Sequence, residues 1–255
     1  SDKIVDLSGR GLQDIPESEK SRILHCEVLY LDDNNITTFP EWMKEAKQIR
    51  KISIKNNPFF NFLDFCVRFQ SPALNEISAS GCNIKDIPYQ LTFFDNLTSF
   101  DFSNNIIEEI PYHLSFLKNI EHADFSNNRI KTTGYVVNAW RNLKSLDVTG
   151  NSGLQLYSLG ESLDGLELEQ LFIEFGDSVP ESFKNISVGR LIIEGSLSAV
   201  PNEFVRNWDI NSLEIKPGEN NNGSFVLANS IIQNPGVKEI SATGFNWKNI
   251  PDFIK

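Results

Sequence analysis

Apolar and polar residues alternate over short stretches of this chain, and the stretches recur. In Leu97-Thr-Ser-Phe-Asp-Phe-Ser-Asn-Asn-Ile-Ile-Glu-Glu-Ile-Pro111, Phe100 and Phe102 flank Asp101. That period of two predicts a short strand with one buried face. The arrangement returns 23 residues on, in the segment from Ile120 to Thr133, and again in the segments 26–40 and 143–151. The shared template is L-x-x-L-x-L-x-x-N-x-L-x-x-I-P. Leu29/Leu31, Ile52/Ile54, Phe100/Phe102, Leu146/Val148, Leu171/Ile173 and Leu191/Ile193 are the pairs expected to point inward. After four of the strands an Ile-Pro step (Ile15-Pro16, Ile87-Pro88, Ile110-Pro111 and Ile250-Pro251) opens a return segment. Pro111-Tyr-His-Leu-Ser-Phe-Leu117 carries apolar residues at helical spacing, which predicts a short helix or a single turn.

Counting by the Asn position gives eleven starts, the last incomplete, with steps between 20 and 27 residues. This leaves no room for a second unit, so residues 1–255 read as one domain, regular to about 151 and irregular after it. The pattern resembles the leucine-rich repeat family, with spacing similar to its intracellular-type members. The resemblance implies an α/β solenoid: a curved horseshoe with a parallel sheet on the concave face and short helices or turns on the convex face. One repeat cannot bury its apolar face alone, so neighbours must stack. Asn34, Asn57, Cys82, Asn105, Asn128 and Asn151 would then form a ladder, the amides satisfying backbone groups where the chain leaves each strand. By the same resemblance, partners dock on the concave face, and solenoid ends carry caps. Neither end shows a Cys cluster, so the chain reads as a segment of a longer protein or one capped by its last helix.

Charge narrows the partner. With 34 acidic against 23 basic residues the net charge is −11 and the pI about 4.8, which argues against nucleic acid, whose phosphates need clustered Lys and Arg. There is no apolar run of about 18 residues that would insert into a membrane. Three cysteines without C-x-x-C spacing suggest neither a disulfide framework nor a zinc site. Read as buried reduced thiols, they favour the cytoplasm over secretion. Four N-x-S/T sequons, at Asn35, Asn96, Asn185 and Asn222, occur about as often as Asn and Ser/Thr content alone gives, and decide nothing.

The outward middle positions of the strands run Asp6, Tyr30, Ser53, Ser78, Asp101, Asp124, Asp147, Phe172, Ile192, Glu214 and Ser241. With the columns on either side, acids number 10 and bases 4, so an acidic hollow is expected. Asp101, Asp124 and Asp147 would stand about 4.8 Å apart on successive strands, as a stripe for a basic peptide or as solvated repeat residues. Phe172 and Ile192 would make an apolar anchor beside them, unless a loop covers them or the register slips. Tyr30, His122, Glu174 and Glu194 complete the expected partner-binding set. His122 lies near Ser99, Ser126 and Asp124, but an open sheet offers no oxyanion hole and does not exclude water. No catalytic, metal or cofactor motif is present, and Asp32-Asp33 reads as a solvated pair. Trp140 and Trp247 are expected in the core, Trp42 on the outer surface, and Lys216-Pro-Gly-Glu-Asn-Asn-Asn-Gly-Ser224 as a projecting loop.

The expected function is therefore a non-enzymatic interaction module for a protein or peptide, with a basic partner best suited to the hollow. Two alternatives stay open: the recognition part of a larger enzyme, effector or receptor, and an extracellular ectodomain. Oligomeric state is not legible.

Overall fold

The computed structural model describes residues 3–175, 179–195, 209–216 and 236–242. Trp247, the loop after Lys216 and the Ile250-Pro251 step lie outside them.

Seven strands hold three residues each: β1 (Ile4–Asp6), β2 (Val28–Tyr30), β3 (Lys51–Ser53), β4 (Glu76–Ser78), β5 (Ser99–Asp101), β6 (His122–Asp124) and β7 (Ser145–Asp147). They are followed by β8 (Glu167–Phe175), β9 (Ser187–Gly195), β10 (Asp209–Lys216) and β11 (Glu239–Ala242). All pair in parallel in chain order, forming one open eleven-stranded sheet. The register aligns Asp101 with Asp124, Asp124 with Asp147, Asp147 with Phe172, Phe172 with Ile192, and Ile192 with Glu214. The outward row counted from the repeats is thus one physical row.

The inward pairs are buried without exception. Between them and the return segments lies an aromatic filling. Phe39 meets Phe65 edge-on at 5.1 Å, Phe65 stacks on Phe69, and Trp140 lies edge-on to Phe100 at 5.6 Å. Such pairs add directionality to an otherwise non-directional burial term.

The convex side differs in detail from the helical expectation. Four return segments form α1 (Lys20–Ile23), α2 (Phe62–Arg68), α3 (Val136–Ala139) and α4 (Leu156–Ser162). Among the described residues there are also five 3₁₀ turns, each preceded by an extended proline; four, such as Tyr89–Phe93 and Tyr112–Phe116, stand alone in their segments, and Glu17–Glu19 leads directly into α1. A repeat of about 23 residues leaves few for the return path. The 3₁₀ rise of about 2.0 Å per residue covers that path in fewer residues than an α-helix.

Two expectations need correction. Trp42 is buried, 8% exposed, within the core cluster, with the Lys20 ammonium 5.8 Å from its ring centroid. Beyond Asn151 the motif decays but the pairing does not: β8, β9 and β10 are longer than the strands before them. Their in–out alternation slips by one residue at the same level, at Glu169-Gln170, Gly189-Arg190 and Asn211-Ser212. A Cβ on Gly189 would meet the Glu169 carbonyl oxygen at 3.0 Å, so glycine suits this stacked kink.

Candidate functional site

The Asn ladder is the best satisfied polar feature of the fold. Asn105 Oδ1 accepts from the amides of Cys82 and Ile84, one repeat earlier, while its Nδ2 donates to the carbonyls of Ala79, Phe102 and Ser103. Asn34, Asn57, Asn128 and Asn151 make equivalent bonds. Cys82 holds the rung with a thiol, its Sγ donating to Ile54 O at 3.0 Å. These residues staple each repeat to the one before it; they are structural and not open to a partner.

The residue preceding each ladder position has a separate task that the sequence reading missed. Asp33, Asn56, Asn104 and Asn127 have φ near +55°, and Gly150 has φ +69°. Only Gly, Asn and Asp adopt that region readily. A Cβ on Gly150 would come within 2.1 Å of Asn127 Oδ1. The doubled Asn-Asn in the motif was the available signal. Asp33 of the supposed solvated pair sits in this row and accepts from Asn56 Nδ2, while Asp32 Oδ1 accepts from Ser53 Oγ and the Lys55 amide.

On the face away from the core, Asp101, Asp124 and Asp147 follow one plan. Each Oδ1 accepts from the backbone amide and the hydroxyl two residues on: Ser103, Ser126 and Thr149, with hydroxyl distances of 2.6 to 2.7 Å. This Asx-type turn ends each three-residue strand. Ser126 of the supposed nucleophile set therefore donates its hydroxyl to Asp124. His122 is exposed, in register with Ser99 and Ser145.

Electrostatics single out the middle of the row. Burial, opposed by the Ser126 bonds and reinforced by the charges of Asp147 and Asp101, pushes the Asp124 carboxyl up to about 6. Burial likewise raises Asp147, opposed by its Thr149 bonds. Asp101 meets Lys55 at 3.4 Å, and Lys51 meets Glu76 at 2.6 Å. Glu214 is paired with both Arg190 and Lys216 and held below the usual carboxylate range, chiefly by the Arg190 bond. Each of the four bases counted on this face thus lies against an acid of the same face.

The expected apolar anchor is only partly present. Phe172 is half-buried, and Ile192, expected to be open, is 1% exposed although it lies outside the main core cluster. Its register neighbours are Phe172 and Glu214, and Arg190 reaches across to Glu214. An aromatic ring on one side and an ion pair on the other leave Ile192 no free surface. Tyr30 and Glu194 are half-buried and Glu174 is exposed; the side chain of Phe175 lies outside the described residues.

All three cysteines are free and buried. Burial pushes the thiols of Cys26 and Cys82 up to about 11 and raises Cys66 as well, which makes them inert packing groups. Among the described residues no cluster of three or more His, Cys, Asp or Glu is arranged to hold a metal ion, and no helix is long and apolar enough to cross a membrane.

No protein-family model and no curated protein matches the sequence. Solved structures do. The leucine-rich repeat domain of the type III effector XopL shares 18% identity over 95% of this chain and 77% of its own, with a TM-score of 0.61. An LRR protein of Leptospira interrogans shares 16% over 98% and 74%, with a TM-score of 0.58. TLR13, in complex with a single-stranded RNA, shares 20% over 97% of this chain but 44% of its own length, with a TM-score of 0.61. At such identities the likeness concerns architecture, and it agrees with the parallel strand order and the Asn rungs: the chain has the leucine-rich-repeat solenoid fold.

Proposed function

We propose that residues 1–255 form one protein-binding domain that takes a basic protein or peptide along the β5–β7 part of its concave face. The observation carrying this is the Asp124–Asp147 pair. Each carboxylate spends one oxygen on its own turn, and both are held above the ordinary carboxylate range, chiefly by burial and further by neighbouring like charge. A Lys or Arg from a partner relieves that repulsion and gains charge-assisted hydrogen bonds. Glu174 and Glu194 extend the field, while Tyr30, His122 and Phe172 supply contact area.

The effector and receptor domains among the neighbours favour a binding role over a catalytic one. The fold itself does not bar RNA, since TLR13 is described with one; the net charge of −11 is what weighs against RNA here. Three desolvated free thiols suit a reducing compartment, and cytoplasmic placement belongs to the same proposal. The module serving as the recognition part of a larger effector or receptor is the second reading, favoured by the first structural neighbour being one domain of an effector.

The test is a pull-down with the wild-type chain and the Asp124→Asn/Asp147→Asn double variant, which keeps both Oδ1 acceptors and removes both charges. Basic partners should bind at least about tenfold more weakly to the variant. If a variant with unchanged circular dichroism retains every partner at full affinity, the concave site is refuted.

A further inference from the structure

The convex side carries a second surface that the concave reading does not use. Large apolar side chains stand in water on five successive return segments, and on four of them they are aromatic. The outer face of α2 presents Leu63 and Val67, and the next two segments present Tyr89 with Phe93 and Tyr112 with Phe116; Tyr135 and Tyr157 continue the stripe. Tyr112 is 73% exposed and Tyr135 80%, and none of the six rings is less than half exposed. Four of the rings form a connected strip: Tyr89 to Phe93 is 5.9 Å, Tyr89 to Phe116 6.5 Å and Tyr112 to Phe116 5.9 Å between centroids.

The repeat template does not ask for these residues, because the core is already filled by Leu91, Leu114 and Val137 on the inner side of the same segments. Charge is confined to the ends of the strip, with Asp64 and Arg68 on α2 and with Glu161, Asp164, Glu181 and Lys184 around the hollow that holds Tyr135 and Tyr157. Residues 88–94, 111–117 and 134–140 contain no Asp, Glu, Lys or Arg in a chain of net charge −11. A cavity of about 510 Å³ opens beside the strip, lined largely by apolar groups including Val67, Phe69, Pro72, Phe93 and Phe94.

We infer that this convex strip is the contact between two copies of the chain, packed back to back with both concave faces open. Three observations choose this occupant. At about 200 Å² per aromatic side chain, the exposed parts of the six rings amount to roughly 760 Å², close to the about 800 Å² per partner of a standard interface. The strip holds both projecting rings and an apolar hollow, the self-complementary arrangement that a two-fold contact requires, knob to hollow in each direction. Two chains each carrying −11 repel wherever their charges face, so a stable pair must meet where charge is sparse, as it is over residues 88–94, 111–117 and 134–140.

Sedimentation equilibrium of the whole chain, at concentrations up to about 100 μM, tests this. The mass should move from 28.9 kDa towards twice that value. Added salt should strengthen the association, since it screens like charge, whereas it weakens a basic partner on the concave face. Phe93→Ser/Phe116→Ser, which alters only exposed rings, should weaken the dimer about a hundredfold with circular dichroism unchanged. Asp124→Asn/Asp147→Asn should leave it intact, so this result and the concave test fail separately. A chain that stays monomeric throughout overturns the inference. So does a dimer that survives the two serines, or a monomer that floats with neutral phosphatidylcholine vesicles, which would give the strip to a lipid surface.

Discussion

The carboxylate of Asp124 stands half-buried between two of its own kind, and its titration reports first that burial and then that crowding. Unfolded, it ionises near about 3.9; folded, it does so at about 6, because burial and then the neighbouring charges of Asp147 and Asp101 disfavour the anion. Between those values the folded chain holds the extra proton. Stability from this group is therefore present below about pH 4 and falls as pH rises towards about 6. Asp124→Asn keeps the acceptor for Ser126 and removes the charge. At pH 7 it should stabilise the chain by about 1 kcal/mol after allowance for solvent screening, with no gain below about pH 4. Urea titrations at both pH values check this, and an equal effect at the two would contradict it. The position of Asp124 in its row was legible from the repeat. Its burial was not, because the depth of a side chain in a hollow depends on what stands on the adjoining strands. Ile192 shows the same limit: its outward parity was readable, its covering by Phe172 and the Arg190–Glu214 pair was not.

The return segments are the least regular elements, and side-chain hydrogen bonds tie one to the next. Trp140, at the end of α3, reaches back one repeat to donate its Nε1 to Leu114 O at 3.0 Å, with its ring against Phe100 and Phe125. Trp140→Phe keeps an aromatic ring but leaves that carbonyl unsatisfied in the core. The expected loss is about 1–3 kcal/mol, mainly the desolvation of an unpaired acceptor. A denaturation midpoint shifted by less than the equivalent of about 0.5 kcal/mol would show that water reaches Leu114 O. Strand positions could be read from alternation because a period of two survives any neighbour. The choice between α and 3₁₀ in the returns could not, since it depends on how far the chain must travel to reach the next strand. The convex rings escaped the sequence reading for a related reason. Tyr112 and Phe116 sit at helical spacing and look like core until the turn directs them outward.

In the whole molecule each repeat touches its neighbours, so protection should depend on position more than on local chemistry. Leu7 and Phe102 both donate backbone bonds across to the next strand, at 2.9 and 2.8 Å, and both are buried. Leu7 follows the edge strand β1, with a neighbour on one side only; Phe102 follows β5 in the middle of the sheet. Native-state hydrogen exchange should find Phe102 protected at least about a hundredfold more than Leu7. Equal protection would mean that the solenoid opens as one unit.

Strand order, the inward pairs and the Asn rungs are inherent in the order of residues along the chain, because they follow from a period of two and from a donor–acceptor set repeated every 23 or so positions. They would be the same for any chain with that spacing. The lifted Asp124 carboxyl, the closed surface over Ile192, the buried Trp42 and the exposed convex aromatics come instead from stacking. Each is set by distances between residues more than twenty positions apart, and those distances exist only once neighbouring coils have closed on one another.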